Sequence, residues 1–67
     1  MHVIRTYNAS GKIMYEERFT TANKAYEAYK EMVDNSERNL PKGYETTVVR
    51  YDNEGRIMSI QTVVGKN

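Results

Sequence analysis

The sequence predicts an α+β fold, a four-stranded sheet made of two β-hairpins with one helix packed across one face. Three observations predict it. One turn motif occurs twice at an offset of 44 residues, the hydrophobic period between the copies is helical, and Pro41 and Gly43 punctuate the return to the second copy.

The motif is Tyr7-Asn8-Ala9-Ser10-Gly11-Lys12-Ile13-Met14, matched by Tyr51-Asp52-Asn53-Glu54-Gly55-Arg56-Ile57-Met58. Asn or Asp at the start of a type I turn accepts hydrogen bonds through its side chain, and the glycine three residues on takes a positive φ. Together they make a three-residue hairpin loop closed by a bulge. Pairing outward from the first turn sets Tyr7 against Ile13, Arg5 against Tyr15 and Val3 against Glu17. From the second turn it sets Tyr51 against Ile57, Arg50 against Met58, Val49 against Ser59 and Val48 against Ile60. The arms are rich in β-branched and aromatic residues, which places strands at about 2–8, 12–19, 44–52 and 56–64.

Between the hairpins, Ala22, Ala25, Tyr26, Tyr29, Met32, Val33 and Ser36 recur at the spacing of one helix face. Asn23, Lys24, Glu27, Lys30, Glu31 and Asp34 take the other face, with acids and lysines three or four residues apart. Thr20 or Thr21 is the candidate N-cap. Leu40 precedes Pro41 and is pushed out of the α region, so the helix fades near 35–38. The chain thus divides into a hairpin at about 2–19, a helix at about 21–37 and a hairpin at about 44–64, one domain over 1–67.

The order hairpin, helix, hairpin resembles in topology the β-grasp fold of the immunoglobulin-binding domains. That resemblance implies strand order 2-1-4-3, with the first and last strands parallel at the centre of the sheet. It rests on topology and on no shared motif, so antibody binding does not carry over.

Side chains alternate across a strand. Val3, Tyr7, Ile13, Tyr15 and Phe19 share one face of the first hairpin, and Tyr44, Val48, Met58, Ile60 and Val64 one face of the second. These are the expected core under the helix, because Phe19 leads directly into the helix start. The opposite face then carries Ile4, Met14, Val49, Tyr51, Ile57 and Val63 among polar residues. A one-sided sheet reads apolar-in and polar-out. A half-apolar outer face is therefore the expected contact surface, with Tyr51 as its anchor.

Composition narrows the function. Ten basic and nine acidic residues leave a net charge of +1, too little for nonspecific attraction to nucleic acid. There is no cysteine, no apolar run long enough to span a membrane, and no long apolar stretch at the N-terminus, so the expected location is cytoplasmic. Six tyrosines and the Val, Ile and Met content argue against disorder. His2 has no second histidine or cysteine to share a metal. Glu16 and Glu17 are strand neighbours facing opposite ways, which rules them out as a carboxylate pair. Ser10, Ser36 and Ser59 have no base in view, and Asn8-Ala9-Ser10 is accounted for by its turn rather than by glycosylation. The sequence points to no catalytic residue, metal or cofactor.

The expected function is a non-enzymatic protein-interaction module, homodimeric and also binding another protein. A phage or mobile-element inhibitor or adaptor acting by surface occlusion suits so small a chain. The alternative is a domain for single-stranded nucleic acid, with tyrosines stacking on bases and Arg5, Lys12, Arg50 and Arg56 meeting phosphates.

Overall fold

The structure is a computed structural model that describes residues 1–66; Asn67, the end of the expected domain, lies outside them. The elements follow as β1 (His2–Asn8), β2 (Ile13–Phe19), α1 (Ala22–Asn39), β3 (Glu45–Tyr51) and β4 (Ile57–Val64). No helix among the described residues is long and apolar enough to cross a membrane.

Both turns form as their residues dictate. The Asn8 side chain accepts from the N–H groups of Ser10 and Lys12, and that of Asp52 accepts from those of Glu54 and Arg56. Gly11 and Gly55 have φ of 83° and 80°, and the Asn8 and Asp52 amides close the loops onto the Lys12 and Arg56 carbonyls. Thr21 caps α1 by accepting from the Lys24 amide. At the other end, Leu40 turns extended before Pro41 while its amide still donates to the Ser36 carbonyl.

The strand order is β2-β1-β3-β4, with every neighbouring pair antiparallel. The expected order 2-1-4-3 is therefore wrong, although the α+β class holds. In both orders the helix joins β2 to a parallel β3, so the right-handed crossover rule cannot choose between them. An interior strand is flanked by neighbours on both edges, and β3 supplies an adjacent apolar pair, Val48 and Val49, for such a position. Val48 is fully buried on one side and Val49 is 3% exposed on the other.

A second correction concerns register. Each hairpin ladder slips by one residue just beyond its turn, between Thr6 and Tyr7 and between Arg50 and Tyr51. Two residues, Ile13 and Met14 or Ile57 and Met58, then oppose one tyrosine. Beyond the bulges Arg5 faces Glu16 rather than Tyr15, Arg50 faces Ser59 rather than Met58, and Val49 faces Ile60. The slip moves side chains to the other face of the sheet.

The core is consequently Ile4, Val48 and Val63 from the sheet with Tyr29 and Val33 from α1, flanked by Phe19, Ala28, Met32 and Leu40. Ala25 is also fully buried. Each fully buried Ile4 or Val48 side chain contributes about 1.5–3 kcal/mol. Of the residues expected in the core, Val3, Tyr7, Ile13, Met58, Ile60 and Val64 instead share the other face, while Tyr15 and Tyr44 are exposed.

Gly65 closes the sheet end. A Cβ there would sit 1.9 Å from the Pro41 carbonyl oxygen, and its amide donates to the Tyr44 carbonyl.

Denaturant unfolding should show Gly11→Ala and Gly55→Ala each destabilised by about 1 kcal/mol, from backbone strain alone. No atom lies within 4 Å of a Cβ at either position, so a larger loss would mean a different turn. Tyr29→Ala should cost about 3 kcal/mol in the same assay, as an aromatic core truncation.

Candidate protein-interaction surface

Alternation and register together define the sheet face turned away from α1. Its centre is the Arg5–Val49 pair of β1 and β3. Tyr7 and Tyr51 approach that centre from opposite ends, and their hydroxyls meet at 2.8 Å. That shared hydrogen bond lowers the Tyr7 pKa and raises that of Tyr51. The Arg5 guanidinium lies 5.3 Å from the centroid of the Tyr51 ring.

Beside this tyrosine pair the β2 flank is charged. The Arg5 Nε donates to Glu16 Oε1 at 2.6 Å, and Arg18 lies 3.5 Å from the other Glu16 oxygen. Hydrogen bonds to Tyr7 and Glu16 hold the Arg5 pKa above its ordinary value, and Arg5 in turn holds the Glu16 carboxyl below the usual range.

The β4 flank is apolar. Ile57, Met58, Ile60 and Val64 are each more than half exposed on this face. At the opposite corner the first bulge exposes Ile13 and Met14. Large apolar side chains thus concentrate along β4 and at the two bulges.

The six side chains expected on the contact face therefore divide. Met14 and Ile57 stand exposed on it, Val49 is buried at its centre, and Tyr51 is half-buried against Tyr7. Ile4 and Val63 belong instead to the core under α1. Ile4 lies on the helix-facing side of β1, and the bulge after the second turn brings Val63 to the same side. Sequence reasoning likewise left out Met58, Ile60 and Val64. The signal for them was the paired Ile-Met after each turn, since two consecutive apolar residues at a hairpin bulge share one face.

The four cations of the nucleic-acid alternative do not gather. Arg5 is engaged by Glu16 on the open face. Arg50 points to the helix side, 5.2 Å from the centroid of the Tyr26 ring and donating to Ser59. Lys12 and Arg56 lie in turns at opposite ends of the sheet, and Arg56 pairs with Asp52 and Glu54. Phosphate binding needs clustered cations, and this placement offers none among these four.

Glu16 and Asp52 both have folded pKa values below their ordinary ones, Glu16 through Arg5 and Asp52 through the Arg56 amide. A depressed carboxyl stabilises the fold fully above its unfolded pKa and loses that contribution as pH falls through the folded pKa. Thermal melts should therefore be flat from pH 7 to about 5 and fall below about 4. Asp52→Asn should flatten part of the acid limb; an unchanged limb would show that the turn carboxylate carries no linkage.

In comparisons with known proteins, no family model matches the chain, nor does any curated protein or solved structure.

Proposed function

We propose that the chain is a non-enzymatic protein-interaction module that works as a homodimer, with the apolar flank of the open sheet face as its contact surface. One observation carries this reading. Ile57, Met58, Ile60 and Val64 are 54–59% exposed side by side on one strand of a face that carries charge on its other flank. Scattered exposed apolar residues are ordinary, whereas a contiguous set marks a contact surface. A chain of 67 residues buries a modest fraction of its surface alone, and a second copy adds to it. A surface built this way acts by occupying a partner, which suits an inhibitor or adaptor.

Sedimentation across a concentration series tests the reading. The wild type should pass from monomer to dimer as concentration rises. A Met58→Lys, Ile60→Lys double variant should keep its circular dichroism spectrum and dimerise at least tenfold more weakly, equivalent to about 1.4 kcal/mol. A wild type that stays monomeric, or a folded variant that dimerises equally well, refutes it.

A further inference from the structure

The open flank belongs to an edge strand, and among the described residues the outward backbone groups of that edge meet no other strand. We propose that two copies join edge to edge along β4, in an antiparallel pair centred on Ile60, to form one continuous eight-stranded sheet. The proposal rests on the homodimer reading and specifies where the two copies meet.

The phase of the β3–β4 ladder shows which groups are free. The Gly65 amide donates to the Tyr44 carbonyl, and Thr47 and Val49 oppose Thr62 and Ile60. Antiparallel pairs alternate between hydrogen-bonded and non-bonded. Ser59, Gln61 and Val63 therefore turn their amides and carbonyls towards β3, while Ile60, Thr62 and Val64 turn theirs outward. The same outward residues carry the side chains of the open face.

The repeated hairpin supplies an internal control. At the offset of 44, Glu16 of β2 corresponds to Ile60 of β4, and Arg18 to Thr62. Edge strands avoid pairing by carrying charge at such positions. β2 has three charged residues in seven, and Glu16 is held by Arg5 and Arg18. β4 has eight residues, Ile-Met-Ser-Ile-Gln-Thr-Val-Val, and not one is charged or proline. One edge is blunted and its structural counterpart is not.

Charge and pattern select a second copy of β4 as the occupant. Centring on Ile60 sets Ile60 against itself and Met58 against Thr62, so the seam joins uncharged side chains throughout. Pairing with β2 of another copy would set its Glu16, Glu17 and Arg18 against an uncharged strand. There is also room for a neighbour, because Gln61 on the helix-facing side of β4 is exposed and α1 leaves that margin open.

Amide hydrogen exchange on the whole chain, followed by NMR at rising concentration, reads the seam directly. Protection of the Ile60 and Thr62 amides should rise at least tenfold with dimer formation, while those of Glu16 and Arg18 stay unchanged. Thr62→Pro removes an outward N–H and the hydroxyl contact to Thr47 but no β3 ladder bond, a change an edge strand accommodates; it should sediment as a folded monomer. A dimer whose Ile60 and Thr62 amides gain no protection overturns the β4 seam and leaves the homodimer reading standing. A folded Thr62→Pro variant that still dimerises does the same. Should that variant fail to fold, exchange in the wild type decides alone. A wild type that is monomeric throughout overturns both.

Discussion

The antiparallel ladder between β1 and β3 is the constraint on which the rest of the structure depends. It sets Arg5 directly against Val49, and these two residues are themselves related by the 44-residue offset of the repeat. The two hairpins are therefore arranged about a pseudo-twofold axis through that pair. Corresponding residues then fall in corresponding environments. Ile4 and Val48 are both fully buried under α1, and Tyr7 and Tyr51 reach across the axis to share a hydrogen bond.

The helix and the edge strands inherit this arrangement in different ways. A single helix covers one face, where Tyr29 and Val33 complete the core begun by Ile4, Val48 and Val63. The other face has no such cover and partly shields itself, with the tyrosine pair at its centre and the Arg5–Glu16–Arg18 cluster along β2. Along β4 the corresponding positions hold Ile60 and Thr62, and no ion pair forms there among the described residues. The pseudo-symmetry is thus kept in the backbone and broken in the chemistry of the two edges. That break is the physical basis for assigning contact to β4.

What the sequence made legible was local. The turns could be read from Asn8, Asp52, Gly11 and Gly55, because each residue satisfies a requirement within a few positions of itself. The helix could be read from the spacing of Ala25, Tyr29 and Val33, and the buried Tyr29 and exposed Lys30 agree with the rotation that spacing implies. The strand faces were harder. One extra residue in each hairpin, marked by the repeated Ile-Met, inverts the faces of β2 and β4 beyond it, which moved Val63 inward and Met58, Ile60 and Val64 outward. Strand order was hardest, because the choice between β3 and β4 as the neighbour of β1 depends on contacts between residues 38 to 48 positions apart in the chain. With that choice the uncharged strand passed from the centre of the sheet to its edge.

Cross-strand nuclear Overhauser effects test the central pairing most directly. Contacts between the backbones of Arg5 and Val49 and of Val3 and Tyr51, with none between β1 and β4, are what the antiparallel β1–β3 ladder predicts. Contacts between β1 and a parallel β4 would contradict it, returning β4 to the interior of the sheet and leaving no uncharged edge for a second copy to join.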